Sequence, residues 1–326
     1  MLAGLTITAL LAFFSLASIT YVYAFRGDYR HPHLRQYLRK CWPMFAPFNC
    51  LLYASTERRA RHPIMDLSEF PELGLLRDNW QTIRDEALAL YESERLDATG
   101  SPQSQGYFDI GFHTFFKYGW RKFYLKWYGY THHSAIASCP ETVRLLERIP
   151  AVHGAMFTLL PPGSKLTRHS DPFACSLRYH LGLATPNSPD CWIEIDNLRY
   201  HWRDGEALLF DETYVHHAKN ESDRYRLILM CDVERPMNPF GRAVNAIYRQ
   251  IMRLTVVPND AGDHRGLINV AFSRLQPLLD RGKALKESNR NLYRLLKHSI
   301  NAALLLVLLA IVAGVIYLPY DLVTPG

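Results

Sequence analysis

Two stretches of this chain are apolar without interruption, and the pattern between them changes period twice. Met1 to Phe25 carries no charged side chain, and neither does Ile300 to Tyr320. Each is long enough to cross ~30 Å of hydrocarbon as a helix rising ~1.5 Å per residue. Between them, Leu67 to Leu96 repeats at helical spacing, with Trp80, Ile83, Ala87 and Leu90 on one stripe. Glu141 to Arg148 reads as a short helix. Residues 155–160 read as a strand and Pro161-Pro162-Gly163 as a turn. Strand-like runs then recur at 176–184, 191–195, 198–202, 207–210 and 224–233. Turn formers separate them: Asn187, Pro189 and Asp190, then Asp196-Asn197, then Asp204-Gly205. Short strands at this spacing, with no helical pattern between them, predict an antiparallel barrel or jelly roll. After Pro236 the helical period returns. Residues 241–257 and 267–296 are amphipathic and carry Arg242, Arg249, Arg253, Arg274 and Arg281. They form either a helical layer closing the fold or a collar on a bilayer surface.

The charge distribution sets an expected topology. Arg26, Arg30, Arg35, Arg39 and Lys40 follow the first apolar stretch; Lys283, Lys286, Arg290, Arg294 and Lys297 precede the second. Positive flanks stay cytoplasmic, so residues 26–298 are expected inside and both termini outside, in a two-pass inner-membrane protein. The first stretch lacks a basic start and a clear small-residue cleavage site, which favours an uncleaved anchor over a signal peptide. The formal net charge of +6 is concentrated in these flanks and suits an anionic membrane surface, not nucleic acid. Six cysteines without CxxC pairs or zinc spacing are expected to be reduced and structural. The expected divisions are a span at 1–25, a membrane-proximal connector and helix at 26–100, the barrel at 101–236, basic helices at 237–298 and a span at 299–320. Residues 107–130 interleave aromatics with Lys117, Arg121, Lys122 and Lys126, and read as scaffold packing under the barrel or as a lipid-facing surface.

The candidate chemistry sits in the barrel. His169-Ser170-Asp171 places a histidine and a carboxylate two residues apart, and His216 arrives much later. Such a set can hold one face of an octahedral metal and leave positions open for a chelating co-substrate and dioxygen, as in non-haem Fe(II) oxygenases. Arg226, further on, suits a carboxylate anchor, because a guanidinium pairs with a carboxylate in a two-pronged contact. Arg178 and His180 share one face of a strand, and two basic groups on an inner face demand an anion. His217 adjoins His216 and becomes the ligand if the register slips by one. Asp171 before Pro172 is also an ordinary turn residue. Asp211 and Glu212 are expected to shape the loop, while His113 and His201 have no partner at ligand spacing.

HSDPFACSLRYHLGL, GEALLFDETYVHH and DRYRLILMCDVERP resemble the aspartyl/asparaginyl β-hydroxylase family of Fe(II)/2-oxoglutarate oxygenases over roughly residues 105–236. The apolar ends resemble the bacterial lipid A acyl-chain 2-hydroxylases more than the peptide hydroxylases. The resemblance implies a mainly β, double-stranded β-helix (jelly-roll) oxygenase domain with packed helices, flanked by N- and C-terminal transmembrane helices. It implies His169 and His216 as iron ligands and Arg226 as the anchor for the distal carboxylate of 2-oxoglutarate. Arg178, His180 and Thr158 are implied as further co-substrate contacts, Thr158 standing where the peptide hydroxylases have serine. The peptide-hydroxylase branch has glycine where this chain has Asp171, so a full triad of His169, Asp171 and His216 is expected here. The expected function is hydroxylation of a membrane lipid acyl chain with Fe(II), 2-oxoglutarate and dioxygen. Lipid A, hydroxylated on a secondary chain, is the first substrate expected, with ornithine lipid close behind; a tethered protein Asp/Asn hydroxylase is the rival, and an inert lipid-binding barrel the alternative from another class.

Overall fold

A computed structural model describes residues 2–101, 103–112 and 115–300. Ten strands form its centre: β1 (Arg121–Trp127), β2 (Tyr130–Thr131), β3 (Val152–Leu160), β4 (Lys165–His169), β5 (Ser176–Ala184), β6 (Cys191–Ile195), β7 (Leu198–His201), β8 (Ala207–Phe210), β9 (His216–Asn220) and β10 (Arg226–Glu234). All pairings are antiparallel. They build a six-stranded sheet in the order β2-β1-β3-β10-β5-β8 and a four-stranded sheet in the order β4-β9-β6-β7. The expected mainly β core with packed helices is therefore present.

Helices precede the sheets as α1 (Leu2–Ala24), α2 (Leu34–Lys40), α3 (Ala46–Ser55), α4 (Gly74–Asp78), α5 (Trp80–Glu92) and α6 (Arg95–Ala98). Between β2 and β3 lie α7 (His133–Ser138) and α8 (Pro140–Glu147), and α9 (Pro239–Arg253) and α10 (Leu267–Ser288) follow β10. Residues 18–272 make one compact unit; residues 2–17 and 273–300 fall in a second, which is helical.

Period-two alternation divides the core into two layers. On β10, Leu227, Leu229, Cys231 and Val233 join a cluster with Ile83, Ala87 and Leu90 of α5 and Leu145 and Leu146 of α8. Burying each of the larger side chains contributes about 1.5–3 kcal/mol, which holds α5 on the sheet without strong helix caps. The alternate residues Ile228 and Met230 meet Met156, Leu208 and Phe210 from the same sheet and Ile193, Ile195 and Ala218 from the smaller one. The space between the sheets is thus an apolar chamber, and polar residues at inward positions stand out chemically. Gly182 allows β5 to approach the loop after β7 closely: a Cβ there would come within 2.0 Å of the Arg203 carbonyl oxygen.

The β6–β7 hairpin turns on Asp196 and Asn197, both at positive φ (49° and 67°), the conformation a tight two-residue turn needs. The Asp196 carboxylate then accepts hydrogen bonds from the backbone N–H groups of Asp28 and Tyr29 at 2.8 Å. Residues 26–65, the connector part of the expected 26–100 division, fall in the same unit as the barrel. Thr6–Ala24 is long and apolar enough to cross a membrane, the one such helix among the described residues. Beyond residue 300, the expected second span at 299–320 lies outside the described residues, as does His113. All six cysteines are free.

Candidate metal centre

Two strand ends and one loop converge inside the chamber. His169 closes β4 and His216 opens β9, paired across the ladder as direct neighbours. Their rings lie 4.4 Å apart between centroids. The Asp171 carboxylate reaches back to His169 Nε2 at 3.5 Å. The three donor atoms all lie within 4.8 Å of one another. The Nδ1 atoms of both rings meet backbone carbonyls, His169 that of Thr167 at 2.8 Å and His216 that of Tyr214 at 3.0 Å. A proton on each Nδ1 leaves both Nε2 lone pairs free, the tautomer a metal requires. Burial and the neighbouring His169 lower the His216 pKa to about 4, so the ring is neutral near pH 7. Burial alone would raise the Asp171 carboxyl, but its contact with His169 and the charge of Arg178 hold it far below the usual range. Two neutral nitrogens and one carboxylate form a donor set suited to a divalent first-row metal with open positions.

Charge around this set is unbalanced in the direction a metal would correct. Arg178 meets Asp171 at 3.2 Å, Asp232 at 3.2 Å and Glu212 as well. Three carboxylates therefore share one guanidinium. Burial pushes the Glu212 carboxyl well above its ordinary value, and the negative Asp171 and Asp232 add to the shift against the pull of Arg178. A bound dication would make up the missing positive charge. The resemblance implies Arg178 as a co-substrate contact; the structure places its guanidinium against these three carboxylates, Asp171 among them.

Arg226 is in the opposite condition. It is 1 % exposed, and its side chain donates to Thr158 Oγ1 at 3.3 Å. Among the described residues no carboxylate pairs with it, and its Nε has no hydrogen-bond partner. Burial lowers its pKa to about 10. The guanidinium lies over the rings of Trp120 (5.1 Å) and Trp202 (4.6 Å). Trp202 Nε1 and His180 Nδ1 are likewise buried without a partner. Burial and the charges of Arg226 and Arg178 hold His180 well below its usual pKa, and its ring lies 5.9 Å from that of Trp202. Buried polar groups are normally satisfied, so two orphaned ring nitrogens near a buried cation whose own Nε is unpartnered outline a candidate anion site. The donors fit a carboxylate.

His217 takes the other face of β9, with Glu194 at 3.7 Å and the Trp192 ring 5.2 Å away. The register therefore brings His216, not His217, to His169 and Asp171. Phe115 sits over the site, its ring 6.1 Å from that of His169, and Phe210 is 5.7 Å from His216.

Helices α2 and α3 grip the loops that carry the donors. The Ser170 N–H donates to the Lys40 carbonyl at 3.2 Å and the Asp171 N–H to that of Glu212 at 2.9 Å. Buried Asn49 donates to the Pro172 carbonyl and accepts from the Ala174 N–H. Arg26, just past α1, pairs with Asp211 at 2.8 Å and lies over the Tyr214 ring at 3.6 Å. Asp211 is held from its other side by Arg235 at 2.7 Å. Reading the sequence alone missed Glu212, Asp232, Trp120, Trp202 and Phe115 as site residues; only the inward parity of Asp232 on β10 could have signalled one of them.

A family profile described as Aspartyl/Asparaginyl beta-hydroxylase matches residues 77–236, a stretch containing every residue of the triad and the anion site. Over those residues the chain is similar to the aspartyl/asparaginyl β-hydroxylase family. Among similar proteins is the ornithine lipid ester-linked acyl 2-hydroxylase of Rhizobium tropici, 38% identical over 127 residues, or 39% of this chain and 45% of that one. The human aspartyl/asparaginyl beta-hydroxylase is 30% identical over 166 residues, 49% of this chain and 21% of that one. The chain thus spans less than half the length of these two relatives. A Pseudomonas putida prolyl-4-hydroxylase structure aligns with 57% of this chain and 99% of its own, at 17% identity and a TM-score of 0.36.

The Arg178 cluster can be tested without turnover. Arg178→Met leaves Asp171, Glu212 and Asp232 facing one another, and breaking a buried ionic network typically costs about 3–5 kcal/mol. Denaturant unfolding of the metal-free variant should show a loss of that size, partly restored by a divalent metal. Unchanged stability would mean that Arg178 does not hold the cluster together.

Proposed function

We propose that this protein is an Fe(II)/2-oxoglutarate-dependent hydroxylase of a membrane lipid acyl chain. The observation that carries the co-substrate assignment is Arg226, a buried cation with Thr158 beside it and unpartnered His180 and Trp202 nearby. In this reading Arg226 and Thr158 bind the far carboxylate of 2-oxoglutarate, and His180 and Trp202 donate to the same end. His169, Asp171 and His216 hold the iron, and Arg178 with Glu212 fixes the Asp171 carboxylate. Iron, when bound, supplies the activation of dioxygen by which 2-oxoglutarate becomes succinate and CO2 while one oxygen atom enters a C–H bond. The protein positions the target carbon and keeps water away, for which Phe115, Trp120 and Phe210 wall the chamber.

A lipid substrate is supported by the apolar helix Thr6–Ala24 and by the acyl 2-hydroxylase among the relatives. Lipid A, at C2 of a secondary acyl chain, and ornithine lipid are the two substrates in view. Basic residues flank both apolar stretches, which supports a two-pass arrangement in the inner membrane with the barrel on the cytoplasmic side, where 2-oxoglutarate and Fe(II) are supplied. The human relative favours a second reading, hydroxylation of a protein Asp or Asn. Mass spectrometry of cells carrying the chain or its His169→Ala variant separates the two. The lipid reading expects a gain of about 16 mass units on an acyl lipid, one added oxygen, absent in the variant. Unmodified lipids together with an oxidised protein Asp or Asn would replace it.

A further inference from the structure

Three helices beside the metal loops leave apolar positions uncovered. On α2, Leu34 and Leu38 are exposed one turn apart; Trp42 and Met44 follow, and Leu51 projects from α3. On α9, Phe240, Ile247, Ile251 and Leu254 are exposed, Ile247 at 65% and Ile251 at 50%. With Val244 they recur at alternating steps of four and three, one continuous stripe of a helix. The neighbouring face of α9 is committed to the protein: Asn245 donates to the Cys175 carbonyl, and Tyr248 packs on Phe173. Val244 joins Phe48 and Leu52 of α3 in one cluster, so the exposed stripe begins where the α3 contact ends.

Charge identifies what such a surface suits. Neither residues 30–56 nor residues 235–259 contain an aspartate or glutamate, although the chain has 31 acidic residues in all. Exposed Arg35 and Arg39 stand beside Leu34 and Leu38 on α2, and Arg242 and Arg253 are exposed on α9. The same helices pack against the end of the candidate span: Cys50 Sγ contacts the Ser18 carbonyl at 4.0 Å, and the Tyr23 ring meets those of His31 and Tyr37. Phe25, the last apolar residue of that stretch, is 70% exposed.

We infer that α2, α3 and α9 form one surface that docks onto an anionic bilayer and holds the Asp171 loop at its interface. Leu34, Leu38, Met44, Leu51, Ile247 and Ile251 enter the acyl boundary, and Arg35 and Arg39 meet lipid phosphates. Phe173, two residues past Asp171, packs on Phe45 and Tyr248, so the platform that touches lipid also carries the metal loop. The surface gives the proposed acyl substrate a short path, and in that purpose it rests on the lipid reading. The docking itself does not.

The test uses the full chain in vesicles of phosphatidylcholine with phosphatidylglycerol. A nitroxide side chain is placed at Leu51, Ile247, Ile251 or, as a control on β7, at exposed Leu198. Docking expects the first three to be relaxed by dissolved oxygen and shielded from a water-soluble nickel chelate, and Leu198 to show the reverse. Omitting phosphatidylglycerol should weaken the shielding. In the Ile247→Glu, Ile251→Glu double variant the Leu51 label should move toward the nickel-accessible state by at least about tenfold in population, the scale of one lost apolar side chain. Labels as open to nickel as Leu198 would overturn the inference. So would labels shielded from both reagents, which means a protein cover, a second copy if spin–spin broadening accompanies it. None of these readings requires turnover, so failure of docking and failure of the lipid-hydroxylase reading are distinguishable.

Discussion

His216→Ala is expected to abolish hydroxylation and iron retention while the barrel stays folded, and His217→Ala is expected to do neither. The two residues are adjacent on β9 but face opposite ways. His216 directs its free nitrogen toward the partners His169 and Asp171, while His217 packs beside Trp192 and Glu194. Outer partners of metal ligands are worth about 10–100-fold in affinity or activity, so loss of a ligand itself should exceed about 100-fold. The β9 ladder to β4 and β6 does not depend on the His216 side chain, and far-ultraviolet circular dichroism should be unchanged. His169→Ala should behave as His216→Ala does. Iron content after anaerobic loading, read beside activity, checks both parts. Full turnover in His216→Ala with loss in His217→Ala would mean that the strand register is wrong.

Arg226→Met should have opposite effects on function and on stability. With two charge-assisted contacts gone, each worth about 1.5–3 kcal/mol, the apparent KM for 2-oxoglutarate should rise by at least roughly 150-fold. Arg226→Lys retains the charge but not the paired geometry and should fall between the two. In the protein without co-substrate, however, Arg226 is a buried cation lacking a counter-ion. Replacing it with an apolar side chain of similar length should leave stability unchanged or raise it. A purely structural arginine would give the reverse, a less stable protein with normal co-substrate use. Steady-state kinetics at varied 2-oxoglutarate and thermal unfolding without it decide between these.

Much of the barrel was legible because strands apolar on both faces read as short continuous hydrophobic runs bounded by turn formers. The strands at 176–184, 191–195 and 207–210 stand where the sequence places them, and 155–160 and 224–233 differ at their ends. The bounds of the strands at Lys165–His169, His216–Asn220 and Arg121–Trp127 were not legible, for a common reason. Their inward positions carry chemistry or ion pairs: His169, His216, and Lys122 buried against Asp109. Polar inward residues erase the period-two signal that identifies a strand. The 107–130 segment follows the scaffold reading at β1, where Phe123 and Leu125 enter the core. The contacts of residues 26–65 were not legible for a different reason. Their prolines and basic residues suggest a connector, but the contacts of Asn49, Tyr53 and Arg26 with the metal loops are long-range in sequence and leave no local pattern. The same holds for the three carboxylates around Arg178, whose positions at 171, 212 and 232 meet only after the sheets have paired.

The central claim is tested most directly by supplying the purified full chain with Fe(II), 2-oxoglutarate and isotopically heavy dioxygen in vesicles that contain lipid A or ornithine lipid. The account predicts one heavy oxygen atom in an acyl chain for each succinate formed, with neither product in His169→Ala. Succinate formed while both lipids stay unlabelled, with the heavy atom found instead in a supplied Asp- or Asn-containing protein, would contradict it.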